Sequence, residues 1–325
     1  VPPPAIALDV GGTKVRAALI SKDGVLLAGS RYAAEAARGA AHVLSVMEGG
    51  IEEMRAQAQI AGYPTLAGIG ISSAGVIDPQ DGHVVSSAPQ IPGWEGQRLG
   101  AHFVARFGLS VVADNDANCA LLGEVWRGGH APLDHASASA VMLTLGTGLG
   151  GALCVNGALV TGRHHLTGHY GIARMWDPVS ATEVKVEHLI SGTGLGNVYR
   201  QIVQGAHAAN GLDVIERVSN GDADAMKALS HWAEHLALLL HNTFWQIDPD
   251  LILLGGGMAD SASIWMPVLQ ESLARRDTRG IAIPIAVASL GNDAGVFGAA
   301  KRVFDAARGL REGKTATPQT GGAAR

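Results

Sequence analysis

Short apolar runs bounded by glycine open the chain. Ala5 to Val10 reads as a strand, Gly11-Gly12-Thr13 as a turn, and Val15 to Ile20 as a second strand. Asp23-Gly24 then turns into a third strand, Val25 to Ala28, so the chain begins as an antiparallel meander. His42 to Ala58 has helical spacing. Ala67 to Ser72 is a short apolar strand, Gln90 to Trp94 a loop, Gln97 to Phe107 a helix, and Leu109 to Ala113 a further strand. The second half repeats the opening about 135 residues on. Ala140 to Leu145 is a strand, Gly146 to Gly151 a turn, and Ala152 to Val155 a strand. Asn156-Gly157 is a hairpin signal, and Ala158 to Thr161 follows as the third strand. Val186 to Gln204 and Ala223 to Ile247 read as helices, and Asp250 to Leu254 as an apolar strand running into Gly255-Gly256-Gly257. A helix over Ile264–Arg275, a strand over Ile283–Ala288 and a closing helix over Ala294–Ala307 complete the pattern. From Arg308 the Gly, Thr, Ala and Pro content predicts a disordered tail. The repeat implies an α/β protein of two related domains.

One junction in this pattern carries chemistry. The strand Leu109–Ala113 ends in Asp114-Asn115-Asp116-Ala117-Asn118, and Ala117 to Trp126 continues as a helix with an apolar face. Asp116 therefore falls at a helix N-terminus, where backbone N–H groups can hold a carboxylate while leaving it open to a ligand. It reads either as a catalytic base or as a plain helix cap.

Composition narrows the classes. A 325-residue chain with 47% hydrophobic residues supports two cored domains. A formal charge of -5 without a long basic run argues against a nucleic-acid surface. No apolar stretch approaches the length of a membrane span, about 18 residues. Val1 to Pro4 carries no basic leader, so a cytoplasmic location without a membrane partner is expected. The two cysteines, Cys119 and Cys154, lie in apolar contexts and read as buried, reduced thiols.

The glycine turns with neighbouring hydroxyls suggest phosphate binding, because glycine lets backbone N–H groups approach phosphate oxygens. A dinucleotide loop at Gly146, Gly148 and Gly151 is excluded: a hairpin follows instead of a helix, and no acid lies between Gly146 and His169. A Walker-type loop at Gly309–Thr315 is one residue short and follows no strand. A third pattern fits. Ile6-Ala-Leu-Asp9-Val-Gly11-Gly12-Thr13-Lys14-Val-Arg16 resembles the first phosphate motif of the sugar kinase, actin and Hsp70 superfamily. Leu145 to Gly151 resembles its second, and Pro249 to Gly257 its adenosine motif. Gly68–Asp78, Ala88–Trp94, Asn115–Asn118 with Gly123-Glu124, and Asp293–Ala300 narrow the resemblance to the ROK family of repressors and sugar kinases, over residues 5 to about 305.

The resemblance implies two ribonuclease-H-like domains of the actin and hexokinase type with a cleft between them. The lobes are expected over 1–113 with 299–325, and over 114–298, with hinges near Ala113 and Gly298. It implies an ATP-dependent kinase acting on the 6-hydroxyl of a hexose or N-acylhexosamine. Asp116 would be the catalytic base, and Gly75, Asn115, Asp116, His169 and Glu187 would bind sugar. Asp9, Gly11, Gly12, Thr13, Lys14, Gly146, Thr147 and Gly148 would hold phosphates, and Gly255, Gly256 and Gly257 the adenosine. Asp9 would orient Mg²⁺ through water, since Mg²⁺ keeps much of its hydration. Two readings stay open beside these: Thr147 stabilising only its turn, and Glu187 as an exposed glutamate in a helix's first turn.

The chain departs from the family at its zinc segment. Gly168-His169-Tyr170-Gly171-Ile172 stands where most members have Gly-Glu-x-Gly-His, and the cysteines that would follow are missing between Asp177 and Glu187. Isoleucine cannot ligate a metal, so no structural zinc is expected. Histidines 164, 165 and 169 offer an alternative metal set, disfavoured because neighbours in a strand face opposite ways. His169 in place of a glutamate, followed by Asp177-Pro178, resembles N-acetylmannosamine kinases of the family. Val186–Arg200 and Pro92-Gly-Trp94 resemble its glucokinases instead. The expected sugar is N-acetylmannosamine, with glucose as the alternative. A non-catalytic sugar-binding regulator is the alternative of another class; a repressor would need a DNA-binding segment ahead of Asp9, where eight residues stand. The family resemblance also implies a homodimer.

Overall fold

In the computed structural model, which describes residues 1–87, 90–130, 137–178, 180–203, 210–277 and 279–311, burial follows the apolar runs. Strand β1 (Ala5–Val10) is buried along nearly its whole length, as a central strand covered on both faces should be. It pairs antiparallel with β2 (Lys14–Ile20), which pairs antiparallel with β3 (Leu26–Ala33). Helix α1 (Ala40–Ile60) then crosses to β4 (Gly68–Ser73), parallel to β1. A hairpin of β5 (Val76–Asp78) and β6 (His83–Ser86) and helix α2 (Leu99–Phe107) lead to β7 (Val111–Asn115), parallel to β4. The sheet order is β3-β2-β1-β4-β7.

Helix α3 (Asp116–Arg127) follows β7 without a break. Strands β8 (Ala140–Leu145), β9 (Leu149–Val155) and β10 (Ala158–Leu159) form the second meander. A hairpin of β11 (Arg174–Asp177) and β12 (Thr182–Lys185) and four helices come next: α4 (Glu187–Ile190), α5 (Gly192–Ile202), α6 (Gly211–Ser219) and α7 (Ala223–Ile247). Strand β13 (Leu251–Gly255), helix α8 (Ala262–Ala274), strand β14 (Ile285–Val287) and helix α9 (Ala294–Arg311) close the chain. The second sheet runs β10-β9-β8-β13-β14, the same order and the same strand directions as the first. The repeated pattern is thus a repeated topology.

Two compact units result, Val1–Asn115 with Ala299–Arg325 and Asp116–Gly298. In the first, α1 and α2 bring Met47, Ile51, Met54 and Phe103 onto the sheet. Two glycines let α9 lie directly on its other face. A Cβ at Gly70 would stand 2.1 Å from the carbonyl oxygen of Ala299, and one at Gly68 would stand 3.1 Å from Val303. In the second, α5, α7 and α8 enclose Trp232 and Trp265, both fully buried. Both cysteines are buried and unbridged, and burial raises the Cys154 thiol above its ordinary range. Among the described residues no helix is long and apolar enough to cross a membrane.

The pattern read over residues 186–204 as one helix is two. Ser191 is extended, with ψ at 174°, and its hydroxyl accepts the Gly194 N–H at 2.9 Å to cap α5. The break falls at Ser191 itself, since Gly192, Gly194 and Gly196 all lie within α5. The third strand of the first meander runs to Ala33, beyond the expected Ala28, while β10 stops at Leu159. Both small hairpins and α6 went unread. Helix α9 continues past Ala307; the tail from residue 312, with most of the 309–315 stretch, lies outside the described residues, as do Ala88, Pro89 and Gln204.

Candidate active site

In the first unit the expected groups cluster at the C-terminal ends of the parallel strands. Asp9, next to last in β1, accepts the Ser72 hydroxyl of β4 at 2.6 Å, which fixes one carboxylate oxygen. The turn after it closes with the Gly11 N–H donating to the Lys14 carbonyl at 3.0 Å, leaving Thr13 exposed and Lys14 half-buried. Gly75 has φ at +102°, and a Cβ there would sit 2.6 Å from the Ser86 carbonyl oxygen, so only glycine fits. Its own carbonyl accepts the side-chain amide of Asn115 at 2.8 Å, which brings two of the expected sugar ligands into direct contact. Trp94 is different. Its indole is buried and donates to the Ser73 hydroxyl at 3.0 Å, so this tryptophan packs a loop and offers no face to a ligand.

In the second unit Asp116 is the first residue of α3 and is exposed. One of its oxygens accepts the Ala117 N–H at 2.8 Å. Helix α3 packs on β9, with Ala117 against Gly150, just past the turn Gly146-Thr147-Gly148. The helix-cap reading and the catalytic reading of Asp116 are therefore compatible: it opens the helix and keeps its carboxylate outward.

That turn borders a cavity of about 310 Å³. Gly146, Thr147, Gly257 and Met258 line it, together with Gly192-Thr193 and Asn210-Gly211-Leu212. The last two groups are the N-terminal ends of α5 and α6, which present positive dipole ends, the Gly192, Gly194, Leu212 and Asp213 N–H groups being bonded within the protein. Close glycine contacts hold the pieces together. Gly192 donates to the Gly146 carbonyl at 2.7 Å, and a Cβ on Gly211 would meet the Gly192 carbonyl oxygen at 2.6 Å. Gly256, with φ at +84°, lies on the backbone of Leu145, and the Met258 N–H donates to the Leu145 carbonyl at 3.0 Å. Below the cavity, Trp265 donates to the Met258 carbonyl at 2.8 Å and Trp232 to the Ser191 carbonyl at 3.2 Å, with the two rings edge to face at 5.7 Å. Sequence reasoning missed the α5 and α6 ends. The Asn210…Asp213 capping box was the available signal, and both of its reciprocal hydrogen bonds are formed.

Glu187 borders the same turn. Glu187 is the first residue of α4, with its carboxylate beside Gly148: an oxygen lies 3.3 Å from where a Gly148 Cβ would be. Lys185 approaches the other oxygen at 3.6 Å. His169 leads a short 3₁₀ turn, Tyr170–Ile172, that presses on β9 through Gly168 and on Glu187 through Gly171. The His169 ring is half-buried, and among the described residues its Nδ1 has no hydrogen-bond partner. Burial pushes the neighbouring Tyr170 phenol up to about 12, so it stays neutral. Ile172 is 56% exposed, and among the described residues no group of three or more His, Cys, Asp and Glu gathers. Asp177, in the Asp-Pro pair, is buried and accepts the Ser180 hydroxyl at 2.6 Å; it holds a hairpin turn.

Matching sheets, each with a glycine turn after its first strand, define an actin and hexokinase-like fold. The ROK family model matches residues 5–305, and the chain belongs to that family. An N-acetyl-D-glucosamine kinase from Yersinia pseudotuberculosis is 32% identical over 249 residues, covering 71% of this chain and 78% of its own. The ROK hexokinase of Thermus thermophilus superposes with a TM-score of 0.80 at 24% identity, over 94% of this chain and 99% of its own. A ROK family glucokinase from Streptomyces griseus, solved in complex with glucose and AMPPNP, superposes with a TM-score of 0.70 at 25% identity, over 92% and 98%.

Proposed function

We propose that this chain is an ATP-dependent sugar kinase acting on the 6-hydroxyl of a hexose or N-acylhexosamine. The supporting observation is the cavity in the second unit, where a glycine turn, two helix N-termini and the Gly257–Met258 backbone converge. Such a lining suits a nucleotide: N–H groups and dipole ends for phosphates, with apolar Met258 for the base. Asp116 takes the proton of the sugar hydroxyl as that oxygen bonds to the γ-phosphorus. The bond from the γ-phosphorus to the bridging oxygen breaks, and ADP leaves. The Thr13 and Thr147 hydroxyls and the turn N–H groups hold the phosphates, and Gly75 keeps Asn115 directed at the sugar. Asp9 is a hard oxygen donor fixed by Ser72, which fits an ion whose other ligands are phosphate oxygens and water. Mg²⁺ bound there would neutralise phosphate charge; the protein's part is to hold the Asp9 carboxylate in place.

For the sugar we favour N-acetylmannosamine. His169, standing where most members of the family have a glutamate, supports it, because a histidine offers one donor and one acceptor where a glutamate offers acceptors alone. Glucose is the second candidate. The Yersinia relative adds N-acetylglucosamine. An ADP-release assay across these three sugars decides among them. We expect Asp116→Asn to abolish transfer and to leave sugar affinity within about tenfold. Undiminished turnover in that variant would sink the mechanism, and sugar binding without turnover in the wild type would make the chain a regulator. The assembly is expected to be a homodimer, which light scattering measures.

A further inference from the structure

A buried acid next to Asn115 has no part in the reaction drawn above. Asp114 is 1% exposed and lies in the row of sheet partners Arg16, Asp9, Ser72 and Asp114. One of its oxygens accepts the N–H of Asn115 at 2.8 Å. The other lies 3.1 Å from Nε of Arg302 on α9, an ion pair whose N–H is not aimed along the contact. The glycine-lined seat of α9 on the sheet brings Arg302 there.

As a stability device this pair is poor. Burying a carboxylate is costly, and an apolar pair of similar volume is often as stable or more so. What the carboxylate does locally is specific. It fixes the peptide unit that joins Asp114 to Asn115, one residue before Asp116, while the Asn115 side chain is held by the Gly75 carbonyl. The backbone at Asn115, one peptide before Asp116, is thereby tied on both sides.

We infer that Asp114, charge-compensated by Arg302, is the positioning group that orients Asn115 and Asp116 toward the sugar hydroxyl. This rests on the kinase reading above. Misplacing a reacting group by about 1 Å can cost on the order of 100-fold in rate, so the pair should act on catalysis rather than on nucleotide binding.

The test uses full-length Arg302→Met, Arg302→Lys and Asp114→Asn with ATP and N-acetylmannosamine, N-acetylglucosamine or glucose. In folded Arg302→Met, kcat should fall about 10- to 100-fold and sugar KM should rise, with ATP KM within about twofold. Arg302→Lys should recover most of the loss, since it restores the charge. Hydrogen exchange of the 114–118 amides should quicken about tenfold in Arg302→Met and Asp114→Asn, while β8 stays unchanged. A folded Arg302→Met variant with kcat and sugar KM within twofold of wild type overturns the inference. If wild type transfers phosphate to none of the three sugars, the kinase reading falls instead. Exchange then decides the pair: unaltered rates at 114–118 overturn it, and faster rates uphold the positioning role.

Discussion

His235 shows how one side chain makes the molecule sensitive to pH. It sits on α7, 7% exposed, and burial, the largest influence, holds its imidazole below the ordinary histidine value of 6.5. The folded chain keeps it neutral, whereas the unfolded chain takes up a proton once pH drops below about 6.5. Stability contributed by this group is therefore present above that value and lost as pH falls from it toward the lowered folded value. Denaturant melts at pH 7.5 and 5.5 should show wild type losing more stability than His235→Leu, and parallel losses would refute this. Nothing along the sequence marked His235, since a histidine among apolar helix positions says nothing about its burial. Asp116 was legible, because an acid after an apolar strand and before an amphipathic helix has few other places to go. Asp114 was not: its burial depends on α9, which arrives some 190 residues later in the chain. Trp94 was read as part of a loop, and the burial of its indole against Ser73 was not legible from the sequence.

At the scale of elements, the break at Ser191 shapes the cavity. Had 186–204 been one helix, the Gly192 N–H would bond internally rather than reach the Gly146 carbonyl of the glycine turn. Ser191 holds the break in two ways, donating its hydroxyl to the Glu187 carbonyl at 2.6 Å and accepting the Gly194 N–H. Ser191→Ala should cost about 1 kcal/mol of stability, as loss of a helix cap commonly does. Because Gly192 also bonds Gly146, ATP KM should rise while sugar KM stays near wild type; calorimetric melting and steady-state kinetics measure both effects. Periodicity predicted the long elements well: α7 has the expected ends, Ala223 and Ile247, and its buried positions recur every three or four residues. Short elements escaped. Strands of three or four residues such as β5 and β11 carry too few positions for a period, and their pairing is set by turns such as the one Asp177 anchors.

For the whole molecule, the duplication was the most legible feature, because glycine turns and hairpin signals recur in the same order and each is a local consequence of backbone geometry. Where the helices seat was not legible, since that depends on which glycines meet backbone. Gly49 and Gly70 separate the two cases. A Cβ at Gly49, on the exposed side of α1, would meet nothing within 4 Å, whereas one at Gly70 would strike the Ala299 carbonyl. Gly49→Ala should raise stability by roughly 0.5–1 kcal/mol through helix propensity. Gly70→Ala should lower it by about 2–3 kcal/mol through overpacking. Melting temperatures that move together would contradict this account of the α9 seat. That seat also bears on synthesis. The first sheet leaves the ribosome within the first 115 residues, but the helix that covers its Gly68–Gly70 face is made only after the entire second unit. For that interval the nascent first unit presents an uncovered sheet face, and it is then that the growing chain is most open to chaperone capture or to association with a neighbour.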